Sequence, residues 1–126
     1  MYLLDTCAFI WYLGNRSKLS PKAKELIETS DNISLSLITL WEIAIKKSLG
    51  KLNLNKTTFE LEEICADNNI SILPIESRYF ETIQTLPLIH RDPFDRMLIA
   101  TALENDLAIL TSDTKIIDYT QVNCIW

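Results

Sequence analysis

Glycine, histidine and linker-like segments are scarce in this sequence. Its 126 residues include only two glycines and one histidine, and no stretch is rich in proline, glycine or serine. Without such a linker, and without internal repeats or low-complexity segments, neither a repeat protein nor a string of tethered domains is indicated. This length is typical of one domain. We therefore predict a single domain over residues 1–126.

Long apolar runs and targeting signals are also missing. No stretch approaches the roughly 20 apolar residues that cross a bilayer. The first segment, "MYLLDTCAFIWYL", has no basic start and contains an acid at position 5, unlike a signal peptide. Cys7, Cys65 and Cys124 are odd in number and widely spaced, which indicates reduced core cysteines and no disulfide framework. We expect a cytoplasmic protein that does not enter a membrane.

Positive charge is in the minority. The chain has 12 lysines and arginines against 17 acids, for a net charge of −5. General nucleic-acid-binding domains are usually basic, so this balance argues against one. A nuclease stays compatible with it, because cations bound at a carboxylate site offset the negative charge.

Strand-like and helix-like segments alternate along the chain. Short apolar segments typical of strands occupy residues 2–5, 32–36, 70–74, 107–111 and 122–126. The helices between them begin at four capping residues, which are Ser20, Ser36, Thr57 and Asp92. This alternation predicts an α/β fold, a three-layer α/β/α sandwich with a mostly parallel central sheet.

A single acid interrupts the apolar segment "SLITLWEIAIKK" (36–47). At helical spacing Ile38, Glu42, Ile45 and Leu49 share one face, so we predict that Glu42 lies on a buried stripe. An isolated buried carboxylate is costly, and such groups are usually paired or bind a metal. Glu42 is therefore expected to face other carboxylates along the edge of the sheet.

Four acids fall at the carboxyl ends of the predicted strands, where open α/β sheets place their functional sites. They are Asp5, Glu42, Asp95 and Asp113. Clustered acids raise one another's pKa unless a cation neutralises them. Mg²⁺ prefers such oxygen ligands, and paired metal ions support hydrolysis of phosphodiesters. The pattern therefore predicts metal-dependent phosphodiester hydrolysis.

Some of these acids also have a purely structural explanation. In "DPFD", Asp92 fits a helix cap and Asp95 an acid favoured by the helix dipole, and for Asp92 the structural role is preferred. Asp113 in "TSDTK" also fits a turn residue. Asp5 and Glu42 are harder to explain in this way, because apolar residues flank both.

Four segments together resemble a known family. "MYLLDTCAFIWYL", "SLITLWEIAIKKSLGKL", "HRDPFDRMLIATAL" and "AILTSD" are similar, in order, to the successive blocks of the PIN domain. More narrowly, they resemble the VapC-like toxins of bacterial type II toxin–antitoxin pairs. The resemblance implies an α/β/α nuclease, an endoribonuclease that cleaves RNA with Mg²⁺ or Mn²⁺. It also implies a homodimer and a small antitoxin protein that neutralises it.

The same resemblance assigns the site. It places the family's acids on Asp5, Glu42, Asp95 and Asp113, with Asp5 and Asp95 as the main metal ligands. Asp92 is extra to the minimal pattern, which leaves open which of the two neighbouring aspartates reaches the metal. Hydroxyl groups that hold the acids are expected from Thr6 and from Thr111 or Ser112.

Basic and aromatic residues near these segments have expected roles as well. Three cations that flank the acids are candidates to contact phosphates: Arg91, Arg96 and Lys115. Three others are better explained as solvated lysines at a helix end: Lys46, Lys47 and Lys51. His90 is expected to be a loop residue or a substrate contact and not a general base. Three aromatics of the first helix are expected in the core, with any exposed remainder a candidate patch for a partner: Phe9, Trp11 and Tyr12.

Two other functions compete with the nuclease. A receiver-type phosphoacceptor domain needs adjacent acids at the first strand and an aspartate after a middle strand. The third strand instead ends "ILPIES", with no aspartate. The second alternative is a PIN fold that binds without catalysis, and the presence of all four acids argues against it.

Overall fold

The computed structural model describes residues 1–126 and contains five strands and seven α-helices. The strands are β1 (Tyr2–Leu4), β2 (Ile33–Ser36), β3 (Ile70–Leu73), β4 (Ala108–Leu110) and β5 (Cys124–Ile125). The helices are α1 (Thr6–Gly14), α2 (Pro21–Thr29), α3 (Leu37–Ser48), α4 (Thr58–Asp67), α5 (Ser77–Thr85), α6 (Pro93–Asn105) and α7 (Thr114–Ile117). None of them has the length and apolar character needed to cross a membrane.

All five strands belong to one parallel sheet, in the order β3-β2-β1-β4-β5. Strand β1 is central, and its Leu3 lies opposite Ser34 of β2 and Ile109 of β4. Since every strand runs in the same direction, all five carboxyl ends lie at one edge. The predicted mostly parallel sheet is confirmed, and it is parallel throughout.

Alternation along the strands divides the core into two layers. Leu3 packs on one face with Tyr79 of α5 and Leu98 of α6, whereas Leu4 packs on the other with Phe9 of α1. Successive strand side chains point to opposite faces, and short apolar strands therefore supply both layers. The predicted three-layer sandwich is confirmed.

The predicted helix starts are all present. Ser20, Ser36 and Asp92 each accept a hydrogen bond from a backbone N–H of the first helical turn. Thr57 and Glu60 form a reciprocal capping box. These side chains satisfy N–H groups that have no partner inside the helix, so capping residues mark helix starts reliably.

The buried stripe of α3 is shorter than predicted. Ile38 and Glu42 are 4% exposed, but Ile45 is only half-buried and Leu49 is 61% exposed, so the prediction is wrong for Leu49. Helix α3 has 12 residues, about 18 Å at the α-helical rise. Leu49 is the residue that follows its last turn, and the positive φ of Gly50 ends the helix.

The cysteines and the aromatic residues of α1 are only partly as predicted. All three cysteines are free, but only Cys65 is buried, and the exposed Cys7 contradicts its predicted place in the core. Phe9 and Tyr12 are buried as predicted. Trp11 is half-buried, and its ring lies edge-on to that of Trp126.

A core substitution tests the layer assignment. Ile109 is fully buried on β4, so Ile109→Ala is expected to lower the free energy of unfolding by roughly 2–5 kcal/mol. The control is Phe59→Ala, at a side chain that is 76% exposed. Urea denaturation of both variants gives the comparison, and equal effects would contradict the assignment.

Candidate active site

Asp5 lies between β1 and α1, at the carboxyl end of the central strand, and is 4% exposed. Its Oδ1 caps α1 by accepting from the Ala8 N–H at 2.7 Å, and its Oδ2 accepts from the Thr111 hydroxyl at 2.5 Å. The predicted hydroxyl is therefore that of Thr111, whereas Ser112 is exposed. Burial raises the pKa of Asp5 to about 6, against the lowering effect of these two hydrogen bonds.

Glu42 has a hydroxyl and an ammonium group as its direct partners. Its Oε1 accepts from Thr6 Oγ1 at 2.7 Å, and its Oε2 lies 2.6 Å from Lys46 Nζ. The predicted hydroxyl of Thr6 is present, but it holds Glu42 and not its neighbour Asp5. Repulsion from Glu42 also contributes to the raised pKa values of Asp5 and Asp95. Glu42 thus lies near the other acids without contacting them.

Lys46 lies in the last turn of α3 with a partly exposed side chain, as expected, but its pairing with an acid was not predicted. Its ammonium group binds the buried Glu42, and this hydrogen bond raises the pKa of Lys46. The spacing of four residues between the two is the signal that could have identified the pair, because such residues are neighbours on a helix. Lys51, by contrast, is exposed as expected.

Asp95, in the first turn of α6, lies beside a histidine. Its Oδ2 is 2.8 Å from His90 Nε2, and Asp113 Oδ2 is 3.3 Å from the same nitrogen. The three groups offer metal-ligating atoms within 4.8 Å of one another. Burial, followed by repulsion from Asp92, raises the pKa of Asp95 to about 7, and the proximity of His90 opposes this rise.

The other two aspartates of this region are helix caps. Asp92 Oδ1 accepts from the Phe94 N–H at 2.8 Å, which confirms its predicted capping role. Asp113 caps α7 through Oδ1, which accepts from the Lys115 N–H, while its Oδ2 faces His90. The cap agrees with the structural role predicted for Asp113, and its role in a metal site stays a prediction.

Arg96 is a structural clamp, contrary to the expected contact with phosphate. Its guanidinium group donates to the carbonyl oxygens of Ile83 at 2.9 Å and Pro87 at 3.1 Å, and to the Tyr119 hydroxyl at 3.1 Å. These bonds tie the loop before α6 to the body of the protein. The side chains of Arg91 and Lys115 are exposed, and their predicted contacts with phosphate stay predictions.

The donor chemistry of this edge fits a hard divalent cation. Asp95 and Asp113 offer carboxylate oxygens within 4.8 Å of one another, in a group that does not include the predicted ligand Asp5. Asp5 lies near enough to Asp113 for repulsion to contribute to its raised pKa, and burial raises the pKa of both Asp5 and Asp95. Mg²⁺ and Mn²⁺ favour oxygen ligands. Since Lys46 is engaged by Glu42, the other acids lack a lysine or arginine partner in the structure. A bound cation would relieve their repulsion.

The open parallel sheet and the acids at its carboxyl edge place this protein among α/β domains with a candidate metal site for hydrolysis. Residues 2–121 match the family model of the PIN domain. The chain therefore belongs to the PIN domain family. This membership confirms the resemblance found in the sequence and rules out the receiver-type alternative.

Known relatives agree with this assignment. The chain is 25% identical over 115 residues to ribonuclease VapC22 of Mycobacterium tuberculosis, across 90% of this chain and 88% of the relative. Its fold is similar to that of VapBC2 from Rickettsia felis, solved with a promoter DNA fragment (TM-score 0.69, 15% identity, 98% and 96% coverage). FitAcB from Neisseria gonorrhoeae is also similar (TM-score 0.68, 20% identity, 100% and 97% coverage).

The raised pKa values predict how stability depends on pH when no metal is bound. The pKa of Asp5 is about 6 and that of Asp95 about 7, both above the ordinary 3.8. Above pH 3.8 these two carboxyl groups hold their protons more tightly in the folded state than in the unfolded state. The free energy of unfolding therefore falls as the pH rises through about 6 and about 7. We expect a loss on the order of 4 kcal/mol between pH 5 and pH 8.

Urea denaturation in EDTA measures this loss for the wild type, Asp5→Asn and the exposed control Asp67→Asn. Asp5→Asn should lose less stability over the range, because its amide does not titrate. Identical pH profiles for wild type and Asp5→Asn would show that Asp5 does not carry the shifted pKa.

Tyr119→Phe tests the clamp around the loop before α6. The Tyr119 hydroxyl donates to the Pro87 carbonyl at 2.7 Å and accepts from the His90 N–H at 2.9 Å. Its removal leaves the His90 N–H without a partner, whereas the Pro87 carbonyl keeps its hydrogen bond from Arg96. We expect a loss of about 1–3 kcal/mol in the free energy of unfolding. The control Tyr2→Phe changes a half-buried tyrosine outside this network. Equal denaturation midpoints for the two variants would count against the clamp.

Proposed function

We propose that residues 1–126 form one nuclease unit, a metal-dependent endoribonuclease that acts as the toxin of a type II toxin–antitoxin pair. The observation that carries this proposal is the gathering of four acids at the carboxyl edge of a PIN-family sheet: Asp5, Glu42, Asp95 and Asp113. The similarity to a relative named as a ribonuclease favours RNA as the substrate.

In this proposal Asp5 and Asp95 are the main ligands for Mg²⁺ or Mn²⁺. A bound ion of this kind lowers the pKa of its water and neutralises charge on the scissile phosphate. Thr111 and the Ala8 N–H hold the Asp5 carboxylate in place, and each of its oxygens keeps a further lone pair for a ligand. The buried ends of β1 and α6 thus orient the two ligands before substrate arrives.

Glu42 and Asp113 complete the pocket and orient water. Glu42 is held from two sides by Thr6 and Lys46, so its position does not depend on a bound ion. Lys46 lies at the rim, with its side chain partly exposed, where its charge would also favour an approaching phosphate. This role for Lys46 offsets part of the acidity that would otherwise repel RNA.

The proposed protein partner rests on similarity of fold to solved structures of low sequence identity. The structurally similar VapBC2 is solved together with DNA from its promoter, and a cognate small antitoxin for this chain is proposed by analogy. A homodimer and a cytoplasmic location stay predictions from the sequence. Trp41, next to Glu42 in α3, is 58% exposed and lies edge-on to Phe94.

Cleavage of a labelled RNA by the purified protein tests the proposal. Activity should require Mg²⁺ or Mn²⁺, should disappear in EDTA, and should fall by at least about 100-fold in Asp5→Asn, Asp95→Asn and Glu42→Gln, as for residues that act directly on the reacting groups. The control Asp67→Asn changes an exposed acid outside the site and should retain activity.

The outcomes separate the nuclease from the non-catalytic alternative. Equal residual cleavage by the wild type and all site variants would mark it as contamination. The binding-only PIN fold would then be favoured, since that fold needs the scaffold but not the acids. A wild type that cleaves DNA and not RNA would keep the nuclease and overturn the proposed substrate.

A further inference from the structure

His90 is the chain's one histidine, and it lies buried between two acids of the site. It is 8% exposed, in the loop between α5 and α6. Its Nε2 is 2.8 Å from Asp95 Oδ2 and 3.3 Å from Asp113 Oδ2. This atom could in principle either ligate a metal or donate a hydrogen bond to the carboxylates.

The other ring nitrogen decides between these roles. The Asp92 N–H donates to His90 Nδ1 at 3.3 Å, so Nδ1 presents a lone pair there. A neutral imidazole with a lone pair on Nδ1 has its hydrogen on Nε2. A metal ligand must offer a lone pair. Because His90 Nε2 instead presents an N–H to Asp95 and Asp113, it is arranged as a hydrogen-bond donor and not as a metal ligand.

The backbone around His90 holds the ring in this position. The His90 N–H donates to the Tyr119 hydroxyl at 2.9 Å, and Arg96 donates to the His90 carbonyl at 3.4 Å. Tyr119 is fully buried. Two parts of the fold therefore fix the residue: α6, through Arg96 and its cap residue Asp92, and the segment after α7, through Tyr119.

We propose that His90 is a positioning residue that donates from Nε2 to Asp95 and keeps the Asp95 and Asp113 carboxylates together, and that it is not itself a metal ligand. This inference rests on the proposed metal-dependent function. The oxygens of Asp95 and Asp113 that do not face His90 stay oriented before the metal arrives. Loss of such an orienting hydrogen bond typically weakens metal binding about 10- to 100-fold.

The test measures Mn²⁺ affinity by electron paramagnetic resonance, without RNA. His90→Gln keeps an N–H close to the position of Nε2 and should bind Mn²⁺ within about threefold of the wild type. His90→Asn has the same amide on a shorter side chain and should bind about 10- to 100-fold more weakly, as should His90→Ala. Circular dichroism and thermal melting establish that each variant is folded.

Pulsed electron paramagnetic resonance of the Mn²⁺-loaded wild type gives an independent readout. We expect no coupling from a directly bound nitrogen. A strong nitrogen coupling that disappears in His90→Ala would show that His90 is a ligand and would overturn the inference. Wild-type affinity in folded His90→Asn would overturn it as well.

Asp95→Asn separates this inference from the proposed function. If the wild type binds no Mn²⁺, or if Asp95→Asn binds it equally well, the proposed metal site fails, and the role of His90 fails with it. If Asp95→Asn weakens binding but all His90 variants match the wild type, the metal site stands and only the positioning role is overturned.

Discussion

The burial of several carboxylates at one edge of the sheet is the constraint around which the rest of this structure is organised. A wholly parallel sheet brings the ends of β1 and β4 together, and with them Asp5 and Asp113. The first turn of α6 adds Asp95. Burial removes the water that would otherwise stabilise these charges, so the pKa values of Asp5 and Asp95 rise to about 6 and about 7. In the absence of a cation, this edge of the sheet costs the fold stability.

Hydrogen bonds from several elements hold the acids in place despite that cost. Thr111 binds Asp5 across the sheet, and Thr6 binds Glu42 from the neighbouring helix. Arg96 and Tyr119 secure the loop that contains His90. These supports come from α1, the residue after β4, α6 and the segment after α7, so the geometry of the site depends on several parts of the fold and not on one loop.

The fold could be predicted from the sequence, and so could the place of the four acids near the carboxyl ends of the strands, because both depend on local patterns. Short apolar strands and capping residues such as Ser20 and Asp92 fall where the structure has them. The partners of the acids were less predictable. Arg96 lies next to an acid in the sequence, but its guanidinium group points back to the loop at Ile83 and Pro87, a contact between segments that periodicity does not report.

The sequence did not predict the contacts of Lys46 and His90, because the same local pattern fits more than one role. Lys46 has the position of a lysine favoured by the helix dipole, and it is also one turn from Glu42, which decides its contact. In the sequence His90 has no second base beside it, so the pattern indicates only a loop residue or a substrate contact. The relevant partners are the carboxylates of Asp95 and Asp113, which only the folded chain brings to it.

The most direct test of the metal-site account is a crystal structure of the protein with Mn²⁺, with the metal located by its anomalous scattering. The account predicts an anomalous peak in contact with carboxylate oxygens of Asp5 and Asp95, with His90 Nε2 hydrogen-bonded to Asp95 and outside the ligand set. A peak bound elsewhere, or no peak at this edge at saturating Mn²⁺, would contradict it.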